Sequence, residues 1–117
     1  MFQHPHFIAA ARSAELWVDW EEVSPAQLES YLIKLRKEEG YTIVGIEQTS
    51  GSVSMEQFDF PEKTAVVLGA EGKGVPATIL PLFDVCVEIP QYGLIRSLNV
   101  HVTGALVMFE YARQFLM

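Results

Sequence analysis

The sequence predicts an α/β domain in which a sheet is packed with helices. Helical and strand-like patterns alternate along the chain and are separated by short turn-forming segments, which is typical of a sheet covered by helices. Residues 64–68 form a short, continuous apolar run of the kind found in strands that are buried on both faces. At 117 residues, the chain has the usual size of one domain with a single core, and we find no internal repeat or long linker.

The first part of the chain gives an ambiguous pattern followed by a clearer one. Residues 1–14 are interpreted as a loose lead-in, because a proline lies between two histidines, while residues 7–14 could instead form one or two helical turns. Leu16, Val18 and Trp20 alternate with polar or bulky neighbours and predict a strand. Trp20 is interpreted as core or edge packing.

A well-marked helix is predicted to begin at Ser24 and to end at Gly40. The residues at 24–27 supply an N-cap hydroxyl, a proline suited to the first helical position and a capping-box glutamine. Four apolar residues then recur at helical spacing: Leu28, Tyr31, Leu32 and Leu35. Residues 41–46, rich in β-branched side chains, predict the next strand, and residues 48–63 predict a long polar loop with one turn of helix.

The second half of the chain predicts a further strand and a long terminal helix. A short helix is predicted at 77–82 and a buried strand at 85–89, with Cys86 as a small core side chain. Residues 97–115 predict a helix whose apolar residues cover much of its circumference. Such a helix lies deep in the core or is shared with a partner subunit.

The segment LGAEGKGVP at 68–76 joins a strand end to a helix start, which is where open α/β sheets bind ligands. Three glycines within six residues permit unusual backbone angles and let a ligand approach the main chain. Their spacing matches neither the Walker loop nor the dinucleotide fingerprint. Glu71, an acid in the middle of the segment, favours a binding loop over the alternative, a flexible surface turn.

A second segment, residues 89–101, runs from the next strand end into a helix start. Ser97 can be an N-cap and Asn99 a first-turn polar residue, which is the simpler interpretation of either residue alone. Together they place a hydroxyl and an amide beside a helix amino terminus, close to the loop at Gly69 if the two strands are neighbours. Such an arrangement suits a polar ligand that carries an apolar or aromatic part.

These two segments resemble the SpoU/TrmH branch of the SPOUT methyltransferases. The residues that carry the resemblance are LGAEGKGVP at 68–76 and IPQYGLIRSLNVHVTGAL at 89–106, with support from EGYTIVGIEQT at 39–49, FPEK at 60–63 and FEYARQ at 109–114. The chain is most similar to the eukaryotic tRNA guanosine 2′-O-methyltransferases of the TAR-RNA-binding-protein type. The resemblance covers nearly the whole chain from Ser13 onward, with two long motifs in the expected order.

The resemblance implies a parallel-sheet, three-layer α/β fold with a deep trefoil knot, truncated at its amino terminus. It implies that residues 1–117 are the carboxy-terminal part of a catalytic domain, with 1–14 as a lead-in and 15–117 as the knotted core. The cofactor of this family is S-adenosylmethionine, which is bound in a bent conformation within the knot. The positions that match the family's cofactor-binding residues are Leu68, Gly69, Ile89, Leu94, Ser97 and Leu98. The candidate catalytic positions are Glu71, Ser97 and Asn99, and Arg96 matches a position expected to contact RNA phosphate.

The activity that the resemblance implies is 2′-O-methylation of ribose in RNA, at a guanosine of the tRNA D-loop, within a larger enzyme. The family's first motif, which carries a catalytic arginine, is expected to precede residue 1, and Arg12 lacks its sequence context. The net charge of −7 is unfavourable for binding phosphate, so other segments are expected to supply the positive charge. A non-catalytic scaffold that keeps the knot, and an unrelated nucleotide-binding domain, are the alternatives.

The partners follow from the same features. A homodimer through the C-terminal helix is expected from the resemblance, and the broad apolar surface of that helix independently allows it. His4 and His6 are too few to hold a metal, and no segment is long and apolar enough to span a bilayer, so neither metal nor membrane is expected. The first residues do not resemble a secretory signal, which favours the cytoplasm or nucleus.

Overall fold

One mixed sheet flanked by two α-helices forms the described part of the chain. The computed structural model describes residues 6–12, 17–46, 51–68, 79–89 and 100–116. Within those ranges the strands are β1 (His6–Arg12), β2 (Trp17–Val23), β3 (Thr42–Ile46), β4 (Val53–Ser54), β5 (Lys63–Leu68) and β6 (Val85–Glu88). The α-helices are α1 (Pro25–Lys37) and α2 (Val100–Leu116), and 3-10 turns cover Met55–Gln57 and Leu80–Leu82.

The strands lie in the order β2-β1-β5-β3-β6-β4. From β5 to β4 neighbouring strands are parallel, whereas β1 is antiparallel to both β2 and β5. The carboxyl ends of every described strand except β1 therefore lie at one edge of the sheet, here called the carboxyl edge. The predicted α/β sheet is confirmed; its strands from β5 to β4 are parallel as expected, and β1 makes the sheet mixed because it runs against its neighbours.

The prediction for residues 1–14 differs from the structure, because His6–Arg12 form a strand in the interior of the sheet. Residues 8–11 of this strand are all buried, so apolar side chains lie on both faces and no alternation identifies it. Three of these four residues are alanines, which favour helices over strands. The strand predicted around Val18 is confirmed as β2.

Side chains on the two faces of the sheet form two separate cores. Alternation along β5 directs Ala65 and Val67 toward α1, and Val66 and Leu68 toward α2. Residues of β1 and β3 divide between the two cores in the same way. The described part of the chain thus has the three predicted layers: α1, the sheet and α2.

The predicted boundaries of the first helix are confirmed by α1. Its sheet-facing residues are buried: Leu28, Leu32 and Leu35. The expected N-cap bond differs, because the Ser24 hydroxyl donates to the side-chain oxygen of Gln27 at 3.2 Å instead of to a backbone amide. After the helix, Gly40 has a φ of 73°, a left-handed conformation that glycine adopts without strain.

The carboxyl half of α2 is fixed to the segment before β5. The side-chain oxygen of Gln114 accepts a hydrogen bond from the Phe60 amide at 2.8 Å, and its amide group donates to the Phe58 carbonyl at 2.8 Å. The Tyr111 hydroxyl donates to the Glu62 carbonyl, and its ring lies edge-on to Phe60 with centroids 5.9 Å apart. This half of α2 cannot shift without breaking these contacts.

Shorter elements lie in the regions predicted at 48–63, 77–82 and 85–89. The long loop predicted at 48–63 contains β4 and a 3-10 turn in its described part. The short helix predicted at 77–82 is a 3-10 turn, Leu80–Leu82, in its described part. The strand predicted at 85–89 is confirmed as β6, but it is largely half-buried, Cys86 included, because its outer neighbour β4 has only two residues.

Candidate functional site

Three parallel strands end together at the carboxyl edge. Leu68 at the end of β5 is paired with Ile46 at the end of β3, and Ile46 is paired with Val87 of β6. The chain therefore leaves these strands from adjacent positions on one edge. Ligands of open α/β sheets bind at such an edge.

The edge has an apolar surface on the side that faces α2. Leu68, Ile46 and Ile89 all belong to the core on that side, and we call these three residues the apolar floor. Leu68 is only 2% exposed, whereas Ile46 and Ile89 are half-buried. An aromatic or aliphatic part of a ligand could pack against the two half-buried members while the backbone beyond the strands supplies hydrogen bonds.

The two strands that lead into the glycine-containing segments are not direct neighbours. β3 lies between β5 and β6, so the ends of those strands are separated by two strand spacings, roughly 9–10 Å. Ile46 fills the position between Leu68 and Ile89. Sequence reasoning missed Ile46, although its place at the end of a β-branched strand within a motif-bearing segment was a usable signal.

Gly104 of α2 lies directly against Leu68 of the apolar floor. A Cβ atom built on Gly104 would lie 3.1 Å from Cδ1 of Leu68 and 2.7 Å from Cη2 of Trp20. Trp20 lies on the outer strand β2 with 47% of its surface exposed. This is the edge packing predicted for Trp20, but its contact with Gly104 was not foreseen.

A carboxylate lies beside the apolar floor but on the other face of the sheet. The Ser52 hydroxyl donates to Oε1 of Glu88 at 3.0 Å, where β4 pairs with β6. Because successive side chains alternate, Glu88 points away from the face that carries Val87 and Ile89. This pair joins β4 to the end of β6 and leaves the apolar floor without a charged neighbour on β6.

At the far end of α2, Glu110 forms a short charged network. Its carboxylate accepts hydrogen bonds from Arg113 at 2.7 and 2.8 Å and from Gln114 at 2.8 Å. The Arg113 guanidinium first, and then the Gln114 amide, lower the pKa of Glu110 to about 2. Glu110 therefore orients Gln114, the residue that fixes this half of α2.

The structure describes only part of the predicted site. Leu68 and Ile89 both lie on the apolar floor, and their roles in cofactor binding stay predictions. The remaining predicted residues lie outside the described ranges, and their roles stay predictions: Gly69, Glu71, Leu94, Arg96, Ser97, Leu98 and Asn99.

Two other kinds of site are not found in the described ranges. No group of three histidine, cysteine, aspartate or glutamate side chains is placed there to hold a metal ion. No α-helix in the same ranges is long and apolar enough to cross a lipid bilayer.

Both motif-carrying segments lie within a part of the chain that matches a known protein family. The profile of the SpoU rRNA Methylase family matches residues 1–109, which is most of the chain. The chain belongs to the SpoU rRNA methylase family. The resemblance of the two glycine-containing segments to this family is thereby confirmed.

Relatives in this SpoU family carry names that specify a tRNA reaction. The mouse protein named tRNA (guanosine(18)-2′-O)-methyltransferase TARBP1 is 54% identical over 105 residues, which cover 90% of this chain and 7% of the mouse protein. The Saccharomyces cerevisiae tRNA (guanosine(18)-2′-O)-methyltransferase is 40% identical over 97% of this chain and 8% of its own length. A Thermus thermophilus enzyme of the same name is 33% identical, over 56% of its length. The chain thus spans less than a tenth of the two eukaryotic relatives.

Solved structures agree with the SpoU assignment. The Aquifex aeolicus TrmH/SpoU tRNA modifying enzyme superposes with a TM-score of 0.62 and 32% identity, over 79% of this chain and 45% of that one. A structure described as addressing 2-OH methylation of C/U34 on tRNA gives a TM-score of 0.62 and 28% identity, over 74% of this chain and 55% of that one. The α/β fold is that of the TrmH/SpoU enzymes, while the trefoil knot stays a prediction.

Proposed function

We propose that this chain is part of a longer protein, in which it forms the cofactor-binding part of an S-adenosylmethionine-dependent tRNA 2′-O-methyltransferase. The proposed target is a guanosine of the tRNA D-loop. The observation that carries the proposal is the apolar floor at the carboxyl edge, reached from β5 and β6 by the two SpoU motifs. Membership of the SpoU family and the tRNA (guanosine(18)-2′-O)-methyltransferase names of its relatives support it. A tRNA substrate would place the enzyme in the cytoplasm or nucleus.

The described residues fit this cofactor. S-adenosylmethionine supplies an electrophilic methyl group when bound, and it combines an aromatic adenine with polar ribose and methionine parts. Ile46 and Ile89 offer half-buried apolar surface for the adenine, next to the buried Leu68. The glycines that follow Leu68 in sequence suit close backbone approach to the polar parts.

Transfer to a ribose requires that the 2′-hydroxyl is aligned with the methyl group and loses its proton. We assign alignment to Ser97 and Asn99, which can accept or donate hydrogen bonds, and contact with RNA phosphate to Arg96. Glu71 is a weak candidate for the base. A carboxylate in a loop usually has too low a pKa to accept the proton of a ribose hydroxyl, unless the carboxylate is buried. An arginine from the family's first motif is the base we propose.

The chain also requires positive charge from elsewhere to hold tRNA. Its net charge is −7, and binding of RNA depends mainly on lysine and arginine contacts with phosphate. Cofactor binding should therefore survive in the 117-residue chain, whereas tight tRNA binding should need the rest of the longer protein.

We further propose a homodimer through α2. Phe109 and Leu106 are 60% and 40% exposed on the side of this helix that faces away from the sheet. Large apolar residues exposed side by side on a helix favour a protein contact, and a two-fold contact between identical helices is its simplest form. Phe109→Glu should give monomers in light scattering, and a Phe109→Glu protein that remains dimeric would contradict this interface.

The test of the proposed function is calorimetric titration of the chain with S-adenosylhomocysteine. We expect saturable binding that is lost in Gly69→Val, because the added side chain blocks backbone approach by the cofactor. Gly51→Val is the matched control, since Gly51 is exposed with no atom within 4 Å of a Cβ at that position, and it should bind as the wild type does. Dimers that bind no S-adenosylhomocysteine would instead indicate a non-catalytic scaffold, and competition by ATP would indicate an unrelated nucleotide site.

A further inference from the structure

We infer that Gly104 and Trp20 are positioning residues for the cofactor site, because together they set how closely the amino end of α2 approaches Leu68. This inference rests on the proposed function and extends it to two residues outside the SpoU cofactor-binding positions. Gly104 lies about one turn into α2, in the helical part of the second SpoU segment, residues 89–106.

The contact at Gly104 leaves no room for a side chain. A Cβ atom there would lie 2.7 Å from Cη2 of Trp20, well inside the usual carbon–carbon contact of about 3.5–4 Å. It would also lie 3.1 Å from Cδ1 of Leu68. Glycine is unfavourable inside a helix, so the missing side chain is explained by this close approach and not by helix propensity.

The two neighbours differ in their freedom to move. Trp20 lies on the outer strand and is half-exposed, so its ring can swing outward. Leu68 is buried in the core that faces α2 and has no such freedom. A side chain at position 104 must therefore displace the Trp20 ring or lift the helix from Leu68.

Lifting the helix from Leu68 would move the amino half of α2, which adjoins the proposed cofactor site. Gln114 and Tyr111 fix the carboxyl half of α2, so a push at Gly104 pivots the amino half. That half belongs to the second SpoU segment, residues 89–106, while Leu68 is the first residue of the first segment, residues 68–76. The contact between Gly104 and Leu68 thus sets the spacing between the first residue of the first SpoU segment and the helical part of the second.

The experiment is a double-mutant cycle read by the Kd for S-adenosylhomocysteine. Gly104→Ala should weaken binding by roughly tenfold, equivalent to about 1.4 kcal/mol. Trp20→Phe removes the outer ring atoms that the new Cβ would meet, and it should weaken binding by only about threefold, or roughly 0.7 kcal/mol. The double variant should bind within about threefold of Trp20→Phe, because the overlap has been removed.

Two controls separate positioning from general destabilisation. Ile8→Val shortens a buried side chain on the opposite face of the sheet and should lower the thermal midpoint without changing the Kd. Gly51→Ala adds a methyl group in open space and should change neither quantity. In a Trp17→Phe background, Gly104→Ala should also shift the emission of Trp20 to longer wavelength as the ring moves toward solvent.

The outcomes are distinct. If the wild-type chain binds no S-adenosylhomocysteine, the proposed function fails and this inference fails with it. If the wild type binds but folded Gly104→Ala binds equally tightly, only the inference fails. Should Gly104→Ala not fold, the double variant decides: folding with near-normal affinity supports positioning, and a folded double variant without affinity overturns it.

Discussion

Replacing Asp84 should destabilise the fold at the amino ends of β3 and β6. The Asp84 carboxylate accepts a hydrogen bond from the Ile43 amide at 2.7 Å and forms an ion pair with Arg36 at 3.2 Å. The Asp84 amide in turn donates to the Ile43 carbonyl at 2.8 Å, and Arg36 donates to the Leu82 carbonyl. Asp84 therefore joins α1, β3 and the start of β6, the strand that leads into the second SpoU segment.

The expected loss for Asp84→Ala is about 2 kcal/mol of unfolding free energy. A hydrogen bond to a charged group contributes roughly 1.5–3 kcal/mol. The ion pair adds only about 0.2–1 kcal/mol, because water screens it: the Arg36 and Asp84 side chains are 35% and 41% exposed. Asp84→Asn keeps an oxygen that can accept from the Ile43 amide but loses the charge, so about 1 kcal/mol should be lost.

Urea unfolding followed by circular dichroism measures these differences. Asp59→Ala, at an exposed acidic position, is the matched control and should stay within about 0.5 kcal/mol of the wild type. The order of stability should be wild type, then Asp84→Asn, then Asp84→Ala. An Asp84→Ala protein within about 0.5 kcal/mol of the wild type would refute the role assigned to this carboxylate.

Three further changes test other contacts. The pKa of Glu110 falls from 4.5 to about 2 on folding, so its stabilising effect is complete above pH 4.5 and is lost as the pH falls through about 2. Glu110→Gln should therefore flatten the acid limb of the pH–stability curve, and an unchanged curve would contradict this. Gln114→Ala should cost about 1–3 kcal/mol, because the Phe60 amide loses its acceptor, and hydrogen exchange at that amide should accelerate; unchanged protection would argue against the bond. Gly45→Ala should cost about 1–3 kcal/mol, because a Cβ would overlap the Phe83 ring, and a thermal midpoint equal to that of the wild type would show that the ring moves freely.

Much of the fold could be predicted because local signals agreed with the tertiary structure. The cap residues and the leucine spacing gave α1, and the continuous apolar run at 64–68 gave β5. The first strand was missed for a physical reason. A strand that is buried on both faces has no polar alternation, and its alanines favour a helix when taken alone, so only pairing with β2 and β5 identifies it.

The candidate site could be predicted in composition but not in spacing. The two SpoU segments were identified from their residues, and Leu68 and Ile89 lie on one apolar floor. The order of strands is a long-range property, so the sequence did not indicate that β3 separates β5 from β6 or that Ile46 completes the floor. Gly104 was missed because a glycine inside a helical pattern gives no sign of what lies opposite it.

Amide chemical-shift mapping with S-adenosylhomocysteine is the most direct test of the proposed cofactor site, because it reports both binding and its location. We expect saturable shifts concentrated at Ile46, Leu68 and Ile89 and in the first turn of α2. Amides at the opposite edge of the sheet, at Thr42 and Val85, should stay unchanged. No shifts, or shifts confined to that opposite edge, would contradict a cofactor site at the carboxyl ends of β3, β5 and β6.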